Sequence, residues 1–160
     1  MPLVKAGMIL MAVVAVIAAY IALAQFCGVK ESWIGTLFLT QWAVVDGGRL
    51  SQIHRTIIGA LVGTMLALVP SLLSSLVGYP AAITIMLVLI LLAVFLFISG
   101  RGTMLVNAAT MVFLSVISVP YVTAHATPMD LLIGFAFGVL YFGGLAFAGS
   151  MLQTRRSEPA

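Results

Sequence analysis

Of 160 residues, 63% are hydrophobic and only 7% charged, with a mean hydropathy of +1.26; a soluble domain carries roughly 25% charged residues, so this composition excludes a water-exposed globule and points to a bilayer. Cys27 is the only cysteine, which excludes a disulfide scaffold. The seven bases are dispersed and the formal charge is +3, so no basic face can follow a phosphate backbone and no nucleic-acid partner is expected.

About 20 apolar residues cross a hydrocarbon core about 30 Å thick. Charge-free runs of that order predict an all-α, polytopic integral membrane protein with six transmembrane helices over residues 1–154 and a short cytoplasmic tail over 155–160. Helix 1 (6–28) lies between Lys5 and Lys30 and is too long for the apolar region of a cleaved signal peptide. Helix 2 (32–47) is unusual, because its charge-free part, Ser32 to Val45, is short for a span. Either Asp46 sits at the membrane boundary or the helix is broken, and short segments flanked by glycine often line transport sites. The run from Thr56 to Gly100 is too long for one helix, and Gly78-Tyr79-Pro80 divides it into helices 3 (56–78) and 4 (80–99). Helix 5 (103–123) follows Gly100-Arg101-Gly102, and helix 6 (130–153) follows a loop with His125 and Pro128. With six spans, Lys5, Arg49, Arg55, Arg101, Arg155 and Arg156 share one side and Lys30 alone falls on the other. The positive-inside rule then puts both termini in the cytoplasm.

Helix 3 carries Gly59 and Gly63, and helix 6 carries Gly134 and Gly138 at matching places. Two readings are open. In one, helices 1–3 and 4–6 form an inverted 3+3 repeat, since halves with an odd number of spans insert upside down relative to each other. In the other, Gly-x-x-x-Gly recurs by chance and serves helix packing alone.

Candidate chemistry is sparse. His54, His125 and Cys27 complete no ligand set, so no metal is expected. Ser71, Ser74 and Ser75 have no base or acid near them in sequence. Gly100-Arg101-Gly102 lacks the third glycine of a nucleotide loop, so the chain is read as a non-enzyme without a cofactor. What remains are polar groups at bilayer depth: Gln41 and Thr40 in helix 2, Asn107 and Thr110 in helix 5. They either clasp neighbouring helices or line a polar path. Asp46, Arg49, His54 and Arg55 cluster at the cytoplasmic mouth of helices 2 and 3, where an arginine can hold a carboxylate; the plainer reading is loop charge with an Asp46–Arg49 ion pair. Asp46 and Asp130 are the candidates for proton coupling.

The segment Thr36-Leu37-Phe38-Leu39-Thr40-Gln41-Trp42-Ala43-Val44-Val45, continuing through Arg55 to Ala67, resembles the membrane domain of the fusaric acid resistance and aromatic acid exporter (FUSC-like) superfamily. In that family a glutamine-containing helix leads through a basic loop to an Arg-x-x-Gly-Thr-x-x-Gly helix. Here Arg55 stands one residue further from Gly59, Ala60 replaces the threonine, and Trp42 follows Gln41 where the family often has proline. Asp130 with Gly134 and Gly138 resembles the family's last helix. The resemblance implies a six-helix module of the bacterial inner membrane that moves small organic anions, such as aromatic carboxylates, outward. Arg49 and Arg55 would attract the carboxylate, with Gln41 and Asn107 as neutral hydrogen-bonding groups. Family members usually add a cytoplasmic domain or a second membrane module, so this chain is expected to form a homo-oligomer or to join a partner membrane subunit. The alternative is a non-transporting accessory subunit packed into a larger complex.

Overall fold

Glycine and proline punctuate a chain that otherwise favours helix throughout. The computed structural model describes residues 3–119, 122 and 125–156, and of residues 3–6, 9 and 152–156 the backbone alone; the tail residues 157–160 and the side chains of Lys5, Arg155 and Arg156 therefore lie outside the described residues. All regular structure among the described residues is helical.

α1 (Leu3–Phe26) is followed, after a short turn, by α2 (Trp33–Thr40). α2 passes directly into a π-helical segment, Gln41–Val45, which ends at two glycines, Gly47 and Gly48, both with φ of +66°. α3 (Leu50–Val77) runs through Pro70, which has no N–H to offer the Leu66 carbonyl. Gly78, at φ +82°, takes a backbone conformation that side-chain-bearing residues rarely adopt, and turns the chain at once into α4 (Tyr79–Ile98), with Pro80 in its first turn. α5 (Ala108–Ile117) and α6 (Pro128–Arg156) complete the chain. Three of these helices, Leu50–Val77, Tyr79–Ile98 and Pro128–Met151, are long and apolar enough to cross a membrane. Leu10–Phe26, Trp33–Val45 and Ala108–Ile117 are shorter apolar helices.

α5 starts at 108 rather than at the expected 103. The apolar residues before it are bound into a turn instead, with the Leu105 and Val106 N–H groups both donating to the Gly102 carbonyl at 2.9 Å. Asn107 then caps the helix, and a cap outranks apolar content in setting where a helix begins.

Two helix pairs pack through glycine. A Cβ placed on Gly134 would stand 2.9 Å from the Glu31 carbonyl carbon, and one on Gly138 would be 3.3 Å from both N and C of Gly35. α6 therefore meets α2 backbone against backbone, and contacts 31 to 134 and 35 to 138 show the two running parallel. On α3, a Cβ on Gly59 would fall 2.6 Å from Asn107 Cγ, and one on Gly63 would be 3.0 Å from Leu114 N and 3.1 Å from Phe113 Cβ. α3 and α5 thus also run parallel, at glycine-permitted distance.

One shift relates the two pairs. Gly59 and Gly134, Gly63 and Gly138, the N-cap residues Ser32 and Asn107, and Phe38 and Phe113 are each 75 residues apart. The packing is swapped between the halves of the chain, since α2 lies on α6 and α5 lies on α3. Phe135 of α6 joins the two pairs, meeting Phe38 edge-on with centroids 6.0 Å apart and Phe113 at 5.7 Å. All three rings are buried. α4 stands at the periphery: only 11% of its apolar stretch is buried, and Leu87, Val88, Leu91, Phe95 and Ile98 are exposed.

Candidate functional site

The end of α2 concentrates the polar residues that local structure does not consume. Gln41 opens the π-helical segment and is 3% exposed, yet its Nε2 has no hydrogen-bond partner among the described residues. A buried donor left unpaired costs about 1–3 kcal/mol, so it calls for an explanation beyond packing. The π register is itself a feature often found at functional positions. It is visible in the Asp46 N–H, which donates to the Gln41 carbonyl at 3.3 Å, five residues back.

Two contacts fix the loop that follows. The Thr56 hydroxyl, itself buried on α3, donates to the Asp46 carboxylate. The Trp42 indole Nε1 donates to the Arg49 carbonyl at 3.1 Å, and the indole is 7% exposed. Held in this way, Arg49 presents an exposed guanidinium that makes no hydrogen bond or ion pair among the described residues. Asp46 therefore pairs with Thr56 rather than with Arg49. Beside this loop, a cleft of about 380 Å³ opens between Trp42, Gly48 and Leu50 on one wall and Ala146, Gly149 and Ser150 of α6 on the other. Its walls are mostly small residues, which is what leaves the space open.

Arg55 and Asn107 are brought together, but as a structural lock. The Arg55 Nε donates to the Thr103 carbonyl at 2.9 Å, and the Arg55 carbonyl accepts from Asn107 Nδ2 at 2.9 Å. Asn107 Oδ1 accepts from the Ala109 and Thr110 N–H groups at 2.9 and 3.3 Å. The Asn107 N–H donates to Thr110 Oγ1, whose hydroxyl donates to the Leu105 carbonyl. Every polar group of Asn107 is thereby engaged with protein, in a capping box joined to α3.

Asp130 lies 75 residues after Arg55, in the first turn of α6. It accepts from Thr127 Oγ1 at 2.8 Å and donates its own N–H back to that oxygen, a second reciprocal cap, while Lys30 Nζ stands 3.5 Å from its other oxygen. Asp130 is thus tied to the turn before α2, as Arg55 is tied to the turn before α5. Gly59, Gly63, Gly134 and Gly138 are all contact positions, as described above. His54 and His125 are exposed, and no group of three potential metal ligands occurs among the described residues.

Thr56, Trp42 and Thr127 are additions from the structure. Thr127-x-x-Asp130 has capping-box spacing and could have been read from sequence. Thr56 could not, because its partner Asp46 lies ten residues away across a loop.

The arrangement offers hydrogen-bond donors, Gln41 Nε2 and the Arg49 guanidinium, at one end of a short helix. No protein-family model matches this chain, and no curated protein or solved structure matches it either.

Proposed function

We propose that this chain is a six-span protein of the bacterial inner membrane, built as two inverted three-helix halves, that provides a route for a small organic anion. The observation that carries the reading is Gln41: a buried amide whose Nε2 has no partner among the described residues, on a π-helical turn, next to the loop that exposes Arg49. A carboxylate is the group that both donors suit. The likeness to the fusaric acid resistance and aromatic acid exporter superfamily gives the same substrate class and an outward direction, and a homo-oligomer belongs to the same reading.

Several observations support the topology. In a six-span chain, helices 2 and 6 cross in one direction and helices 3 and 5 in the other, and both pairs do run parallel. The shift of 75 residues relates one pair to the other, as inverted repeats require. Trp33–Val45, at 1.5 Å per residue, is about 20 Å long, less than a hydrocarbon core of about 30 Å. Short helices meeting inside the bilayer are the usual setting of a transport site.

The buried Phe38, Phe113 and Phe135 cluster and the exposed α4 favour a second reading, an accessory subunit with a closed interior that packs against a larger partner. Reconstitution separates the two. Purified protein in phosphatidylethanolamine–phosphatidylglycerol vesicles is expected to pass benzoate, and Arg49→Gln to slow it without lowering the unfolding temperature. No flux from the isolated protein, together with a stoichiometric partner retained in mild detergent, decides for the accessory reading. In a Cys27→Ser background, single cysteines at Arg101 and Lys30 are expected to label from opposite sides of the membrane; labelling from one side overturns the topology.

A further inference from the structure

We infer that Phe135 is the gate of the proposed route, the centre of a three-ring seal completed by Phe38 and Phe113. This rests on the transport reading above and adds the device that keeps the route shut. Phe38 and Phe113 occupy equivalent places, 75 residues apart, near the middle of α2 and of α5. Both are 0% exposed. Each presents its ring to Phe135 nearly at right angles, at interplanar angles of 87° and 81°, so one phenylalanine from α6 meets a ring from each of the two short helices. Edge-to-face contacts of this kind hold rings in register without a polar atom. An apolar constriction of this sort excludes water and with it any hydrated ion.

The seal is lopsided in a telling way. Counting back 75 residues from Phe135 gives Ala60 on α3, which is equally buried. The corresponding place in the first half of the chain therefore already holds an alanine within an equivalent glycine-packed helix. Phe135→Ala gives α6 the residue that α3 already carries at the corresponding place, and it removes the ring that Phe38 and Phe113 both meet, at the cost of a core cavity.

The test uses the full chain in vesicles loaded with labelled benzoate and with carboxyfluorescein, a bulkier anion. Phe135→Ala is expected to raise benzoate efflux over wild type by about tenfold or more, the factor given by removing about 1.4 kcal/mol from a barrier, while the dye stays inside. Phe38→Ala and Phe113→Ala are expected to raise efflux by factors similar to each other. The double variant Ala60→Phe/Phe135→Ala, which moves the ring to the other half, is expected to bring efflux back toward wild type. Benzoate efflux from Phe135→Ala equal to that of a conducting wild type overturns the gate and leaves the transport reading standing. Escape of the dye also overturns it, because a general leak is not a gate. If neither wild type nor any folded variant passes benzoate, the transport reading and the gate fall together. Should Phe135→Ala not fold, Phe38→Leu and Phe113→Leu trim the same seal from its two sides, and unchanged efflux in both overturns it.

Discussion

Gly59 and Asn107 should behave as one energetic unit, because the absent side chain of one makes room for the amide of the other. Asn107→Ala removes the cap on α5, worth about 1 kcal/mol. It also removes the cross-helix bond to the Arg55 carbonyl, for which about 0.6 kcal/mol is typical between membrane helices; the expected loss is about 2 kcal/mol. Gly59→Ala puts a methyl group 2.6 Å from Asn107 Cγ, and the amide must leave its place. The second substitution therefore destroys the same cap and clasp and is expected to cost about 2–3 kcal/mol, the excess coming from displaced neighbours. With Asn107 already alanine, the three atoms nearest the methyl group at 59 are gone, so the double variant should lose about as much as one single variant. The coupling is then about 2 kcal/mol, well above the 0.3–0.5 kcal/mol within which independent sites add. Detergent-titrated unfolding of the four proteins, followed by far-UV dichroism, measures it. Additive single effects would refute the lock, and so would Asn107→Ser, which keeps a capping oxygen, costing as much as Asn107→Ala.

Other outcomes follow from the same contacts. Gly138→Ala forces α6 away from the Gly35 backbone and is expected to destabilise by about 1–3 kcal/mol, whereas Gly144→Ala, with nothing within 4 Å of its new methyl, should stabilise by about 0.5–1 kcal/mol through helix propensity. The same unfolding assay compares them, and equal effects would remove the close approach of α2 and α6 from the account. Gln41→Leu replaces a buried amide whose Nε2 has no partner among the described residues by carbon and is expected to raise stability by about 1–3 kcal/mol while abolishing benzoate flux; a destabilised variant would mean that Nε2 has a partner. Thr127→Ala breaks the reciprocal cap with Asp130 and should cost about 1 kcal/mol, with faster amide hydrogen exchange at the start of α6 as the check.

The helical class and the turn at Gly78-Tyr79-Pro80 are legible in the sequence because they depend on apolar run length and on glycine and proline, which act locally. The shortness of helix 2 is legible for the same reason, since Asp46 ends its apolar run. The π-helical turn is not: Gln41–Val45 has the composition of any apolar helix, and the change lies only in which carbonyl each N–H reaches. Asn107 sits in an apolar run that reads as continuous helix from 103, so its part as a cap emerges only with the glycine turn that precedes it. Whether Gln41 finds a partner depends on which residues of α3 and α5 pack against its segment, and a linear pattern carries no such information. The Asp46–Thr56 contact and the cleft beside Trp42 are hidden for that reason too.

The exchange of short helices between the two halves dictates an order of maturation on the ribosome. When α5 emerges, its docking groove on α3 is already made, so this pair can close while synthesis continues. α2 has no such advantage, because Gly138 is 103 residues downstream of Gly35. Until α6 leaves the ribosome, the backbone face around Gly35 and the ring of Phe38 lack the helix that covers them. A nascent chain stalled before residue 128 should therefore be prey for quality-control proteases, and one stalled after α6 should not.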